Sequence, residues 1–143
     1  VGKSLGDYFK NDTLSEETVV TGNVDVHGNQ YGLMRASECF RKTTTLTCNT
    51  CHNPHEKERG KTEIFSRRCM TCHNITEAKF KTPAHQQVKN IERNCIDCHM
   101  PALPSRAIAV DIQGEEVPRV SLIRSHLVKI YPNETKKYLD LKL

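Results

Sequence analysis

The chain has 143 residues, 36% of them hydrophobic, with no Trp, a mean hydropathy of −0.60 and a formal charge of +4. That length excludes two ordinary cores, and that composition excludes one generous aliphatic core. No stretch approaches the roughly 18 consecutive apolar residues of a membrane-spanning helix, and Val1-Gly2-Lys3 does not open a secretory signal.

Residues 1–38 read as an N-terminal cap. Thr13-Leu14-Ser15-Glu16 has the form of a capping box, and Val24 and Val26 alternate as in a brief strand. A helix is predicted over 32–42, with Leu33, Ala36 and Phe40 toward one side, and a shorter one over 62–68 carrying Ile64 and Phe65. Thr82 as N-cap and Pro83 at the first helical position predict a helix ending near Asn94, with His85 and Val88 on one face. Beyond it, 107–112 reads as a strand, Gln113-Gly114-Glu115 as a turn and 117–122 as a return strand. A last helix is predicted over 121–131, with Ile123, His126, Leu127 and Ile130 at helical spacing and Pro132 as its stop.

Through the middle of this pattern the pentapeptide CxxCH recurs three times, as Cys48-Asn49-Thr50-Cys51-His52, Cys69-Met70-Thr71-Cys72-His73 and Cys95-Ile96-Asp97-Cys98-His99. This is the attachment signature of c-type haem: two thiols for thioether bonds to the porphyrin and an adjacent imidazole for the iron. Three covalent haems are expected, bound by Cys48, Cys51, Cys69, Cys72, Cys95 and Cys98, with His52, His73 and His99 as proximal ligands. Their flat apolar faces would form much of the core that the aliphatic residues cannot, and folding would depend on them. Their propionates, about −6 in all, would offset the basic residues, so the +4 does not argue for nucleic acid or an anionic membrane. Arg67, Arg68, Lys79 and Lys81, beside the motifs, are expected either in solvent or against propionates.

Of the seven His, four remain after the proximal set: His27, His55, His85 and His126. They are the candidate distal ligands for the three remaining axial positions, so every iron can be saturated by two imidazoles, the condition for electron transfer without substrate binding. His55 lies too close in sequence to His52 to reach the other face of the same haem and is expected to serve a neighbour. His85 and His126 sit on predicted apolar helix faces, where a His can also be a satisfied core residue, and which His binds which iron is not fixed by the sequence. Met34 is a minor candidate ligand, whereas Met70 and Met100 are poorly placed to reach a distal face.

Two features compete with or stand outside this reading. Cys48/Cys51 and Cys69/Cys72 fall within the C-x₂-C-x₁₅₋₂₀-C-x₂-C spacing of a zinc ribbon, but zinc leaves Cys95 and Cys98 to a separate site and gives no reason for the recurring His. Cys39 lacks a motif; it is expected as a small buried residue, with an intermolecular disulfide and then a single-thioether haem as the alternatives.

The stretch Leu46-Thr47-Cys48-Asn49-Thr50-Cys51-His52-Asn53-Pro54-His55, followed by the motif at Cys69, resembles the doubled CxxCH family of multihaem cytochromes. Asn94 to Pro101 is similar to the last haem motif of many bacterial multihaem chains. The resemblance covers about residues 39 to 101 and leaves the N-terminal third and the region after Arg106 outside it. It implies closely spaced bis-His haems in a helical and irregular scaffold, His55 as distal ligand to a neighbouring haem, and a cassette that can belong to a larger protein.

The expected fold is therefore mainly α with much irregular coil and a short β-hairpin, organised around three haems as a single domain over 1–143: cap 1–38, haem cassette 39–101, hairpin and helix 102–143. The expected function is passage of single electrons between a redox donor and acceptor, in the periplasm or outside the cell because c-type haem is attached after export, with no catalytic residues. The alternatives are a link in a cytochrome polymer or complex with ligation between subunits, and a haem enzyme acting on a small nitrogen or sulfur compound at one open iron.

Overall fold

The computed structural model describes residues 2–8, 27, 29–43, 45–74, 76–77 and 80–140. The capping box at Thr13 and the brief strand at Val24 and Val26 lie outside the described residues. Within them the chain is a mixture of short helices, coil and one two-stranded antiparallel sheet. The helices are α1 (Gln30–Ala36), α2 (Glu38–Lys42), α3 (Cys48–Cys51), α4 (Thr62–Cys69), α5 (Pro83–Gln86), α6 (Ile96–His99) and α7 (Pro132–Asp140), with 3₁₀ turns at Leu5–Asp7 and Ile91–Arg93.

The helix expected over 32–42 is two helices. Ser37 sits between them in an extended conformation (φ −71°, ψ 146°), its Oγ donating to the Met34 carbonyl at 2.5 Å and accepting from Phe40 N–H at 3.5 Å. A hydroxyl that satisfies the end of one helix and the start of the next lets the chain turn between them. The helix expected from Pro83 to Asn94 starts as predicted, with Thr82 Oγ1 accepting from His85 N–H at 3.3 Å, but α5 ends at Gln86. Asn90 adopts φ +53°, a left-handed conformation that no α-helix continues through.

The hairpin is longer than expected. Strand β1 (Ala102–Val110) pairs with β2 (Arg119–Arg124), Leu103 opposite Ile123 and Val110 opposite Arg119, with an irregularity between Pro104 and Ala109. There Ser105 Oγ accepts from the N–H groups of Ala107 (3.2 Å) and Ile108 (3.0 Å), replacing the ladder bonds that the irregularity removes. Gly114, at φ +93°, makes the turn region between the strands.

The helix expected over 121–131 does not form. Residues up to Arg124 belong to β2, residues 125–131 are irregular, and Pro132 begins α7 instead of ending a helix. Proline is suited to the first position of a helix, where its missing N–H is not needed.

Among the described residues the buried hydrophobic side chains are Leu33 (3% exposed) and Ile96 (4%), whereas Ser37, Glu58, Ser66, Ser105 and Ser125 are buried polar groups. Large apolar side chains lie outside, Leu122 at 69% exposed among them. Hydrogen bonds and one buried ion pair, more than aliphatic packing, fix the elements relative to each other.

Candidate functional site

The three CxxCH segments share one backbone geometry. In each, the His N–H donates to the carbonyl of the first Cys: His52 to Cys48 at 2.9 Å, His73 to Cys69 at 3.0 Å and His99 to Cys95 at 3.0 Å. This is one helical turn, which puts two thiols three residues apart on a common face with the imidazole next to them. All seven cysteines are free thiols, with Cys48 and Cys72 exposed and the others half-buried, Cys39 included.

The turns are joined to one another by side chains that the motifs themselves do not reveal. Glu58, 6% exposed, accepts from Arg68 through both carboxylate oxygens (2.8 and 2.5 Å) and from Asn53 N–H at 3.1 Å, while Arg68 also donates to the Cys51 carbonyl at 2.7 Å. The Arg68 guanidinium and the Asn53 N–H hold the Glu58 carboxyl down at about 2, from an ordinary value of 4.5. Arg68, expected in solvent or against a propionate, thus binds a carboxylate, and ties the loop after the first motif to α4, which ends in the second.

Ser66, buried on the same helix, donates to the Thr62 carbonyl (3.1 Å) and accepts from Cys95 N–H (3.0 Å), pinning the second motif to the third. The thiols of Cys69 and Cys95 interact, which raises the pKa of Cys69 and lowers that of Cys95. The third turn is held from the other side by Arg124, which donates to the carbonyls of Ile96 (2.9 Å) and Met100 (2.8 Å) and to Asp97 (2.8 Å). Asn94 donates to Asp97 Oδ2 at 2.9 Å and meets the Tyr138 hydroxyl at 2.8 Å, linking α7 to the same turn.

Four of the seven candidate imidazoles form two pairs. His52 and His126 have ring centres 6.0 Å apart with planes 29° apart; His85 and His99 are also 6.0 Å apart, at 65°. Each pair joins the His of one CxxCH to a His from elsewhere in the chain. Three of the four rings are held through Nδ1: His99 to the Lys129 carbonyl (3.0 Å), His85 to the Phe80 carbonyl (2.7 Å) and His126 to Gln30 Oε1 (2.7 Å). Since those oxygens only accept, Nδ1 carries the proton and Nε2 keeps its lone pair in the neutral ring. Burial favours that neutral form, lowering the pKa of His99, with His85 and His73 adding to the effect, and of His126, with His52 adding. The backbone of Arg124 also lies by the His126 ring and opposes this shift. Phe65 on α4 packs edge-on against His52, with centres 5.1 Å apart.

His27, His55 and His73 are exposed. His55 lies in the turn after Pro54, where its backbone N–H donates to Asn53 Oδ1 at 3.1 Å. Cys39 is half-buried beside Ser37, with Sγ 3.3 Å from the hydroxyl, and contributes to the electrostatic environment of Cys51 and Cys69. The sequence signal for the second-layer residues Gln30, Glu58, Ser66 and Arg124 was absent, because each acts on a motif far from it along the chain.

In each pair the ring centres lie 6.0 Å apart, His52 and His126 with near-parallel rings and His85 and His99 edge to face. A metal–imidazole bond is about 2.1 Å long, so a pair of rings at this separation would be within reach of one ion placed between their free nitrogens. Among the described residues no group of three or more His, Cys, Asp or Glu side chains converges on one point; the donors come in pairs. No family model, no curated protein and no solved structure matches this chain.

Proposed function

We propose that the chain is a triheme c-type cytochrome that passes single electrons between redox partners. The observation that supports this reading is the pairing of His52 with His126 and of His99 with His85, each bringing a second imidazole within 6.0 Å, centre to centre, of one that closes a CxxCH turn, so that both would be available to the iron of that motif's haem. A porphyrin supplies four equatorial nitrogens and asks the protein for two axial donors, so pairs are the donor set it needs, where a zinc ribbon needs four donors on one point. The scarcity of buried aliphatic side chains around the motifs agrees with a core completed by flat apolar groups.

On this reading Cys48 and Cys51 carry the first haem with His52 and His126 as ligands, and Cys95 and Cys98 carry the third with His99 and His85. Cys69 and Cys72 carry the second, with His73 proximal and its sixth ligand drawn from His55 and His27. When bound, each group supplies a reversible one-electron couple at its iron.

The protein's own part is positional. Nδ1 hydrogen bonds fix the tautomer of His85, His99 and His126, burial lowers the pKa of His99 and His126, and the Glu58–Arg68 pair and Ser66 tie neighbouring attachment turns together. Ser66, three residues before Cys69, accepts from Cys95 N–H, so the second and third attachments would start from neighbouring points. The partners are a redox donor and a redox acceptor. No described helix is long and apolar enough to cross a membrane, and the periplasm or cell exterior is the compartment that c-type attachment implies.

The test is an absorption spectrum of the purified protein, oxidised and reduced, with a pyridine haemochrome assay. About three c-type haems per chain with low-spin bands are expected; a haem-free protein that retains zinc would overturn the assignment.

A further inference from the structure

We infer that Gln30 sets the reduction potential of the first haem, that of His52 and His126; this rests on the triheme reading above. His85 and His99 are oriented by backbone carbonyls, of Phe80 and Lys129, which no substitution alters directly. His126 is oriented by a side chain: Gln30 Oε1 lies 2.7 Å from its Nδ1 across 96 residues of sequence. Gln30 is the first residue of α1, and Asn29 caps that helix through a 2.7 Å bond from Gly32 N–H, so the amide is delivered from an anchored position.

The acceptor on Nδ1 governs how much electron density the imidazole gives to a metal on Nε2. A stronger acceptor makes the ring a better donor, stabilises the oxidised iron and lowers the potential; loss of the acceptor raises it. The Arg124 backbone beside the same ring is common to every variant. The otherwise motif-free N-terminal region therefore has a defined role: one amide, placed on one ligand, distinguishes the first haem from the third.

The experiment is a spectroelectrochemical titration of the haem-loaded protein and of Q30E and Q30M, both close to Gln in volume. Q30E, with a carboxylate on Nδ1, is expected to move one of the three haem components to lower potential, and Q30M, without the amide acceptor, to move the same component upward. Each shift is expected to reach at least tenfold in the oxidised-to-reduced ratio at fixed potential, about 59 mV for one electron. The component is identified by its loss of low-spin character in H126A.

Three loaded haems with unchanged titrations, shifts of the same sign in both variants, or failure of both to take up haem would each reduce Gln30 to a structural role. Absence of haem from the parent protein would instead overturn the triheme reading itself, so the two failures are distinguishable.

Discussion

His52 and His126 stand 6.0 Å apart, ring centre to ring centre, although one closes the first CxxCH turn and the other follows the last strand of the hairpin. Their approach is made by long-range contacts: Gln30 grips the far ring, Phe65 packs on the near one, and Arg124, two residues before His126, is locked onto the third motif.

On the triheme reading, removing the second imidazole of either pair should open one iron. H126A and H85A are each expected to keep three haems, since the cysteines are untouched, but to turn one haem high-spin and able to bind carbon monoxide when reduced. The double variant should bind two. Carbon monoxide difference spectra read this directly, and parent-like spectra in both single variants would remove these residues from the ligand set.

On the same reading, the second haem's remaining ligand has two exposed candidates, His55 and His27. One of H55A and H27A, and not both, is expected to open the second haem in the same assay. Carbon monoxide binding by the unmutated reduced protein would mean that neither serves, and would favour a haem enzyme over a saturated carrier.

Acid should release the tie between the first and second motifs. The Glu58 carboxyl is held at about 2 in the folded chain against an ordinary 4.5. Its folded value is the lower one, so its contribution to stability is fully present above about pH 4.5 and is lost as pH falls toward 2. E58Q should therefore melt below the parent at neutral pH, with the gap between the two closing progressively between pH 4.5 and 2. A gap independent of pH over that range would show that the carboxylate charge is not what matters.

R124K should destabilise the hold on the third motif. A lysine keeps the charge but cannot reach two carbonyls and a carboxylate at once in the planar geometry of the guanidinium. With hydrogen bonds to charged groups at about 1.5–3 kcal/mol, a loss of about 2 kcal/mol is expected from the shift in denaturant midpoint. A midpoint unchanged from the parent would show that the fork is dispensable.

S66A removes the acceptor of Cys95 N–H from a fully buried position. Leaving that donor without a partner should cost about 1–3 kcal/mol, measured in the same denaturation experiment; S66T, which keeps the hydroxyl, tests whether the oxygen or the small volume is required.

What the sequence determined by itself was local. Three CxxCH turns, the number of imidazoles available, the Thr62–Cys69 helix to within one residue, the Thr82 cap on Pro83 and a hairpin turning near Gly114 all depend on residues a few positions apart, and short-range hydrogen bonding decides such features. Tertiary structure decided the rest. The apolar spacing of Ile123, Leu127 and Ile130 fits a helix, yet Ile123 lies opposite Leu103 in the hairpin, and Pro132 starts a helix as readily as it stops one. The break at Ser37 is legible only once its hydroxyl is seen serving the ends of both α1 and α2. Which imidazole meets which motif, and that Gln30, Glu58, Ser66 and Arg124 hold them, depends on contacts between distant segments that leave no periodicity in the chain. A CxxCH fixes its own turn because its hydrogen bond closes within five residues, whereas the partner across the pair is placed by the whole fold.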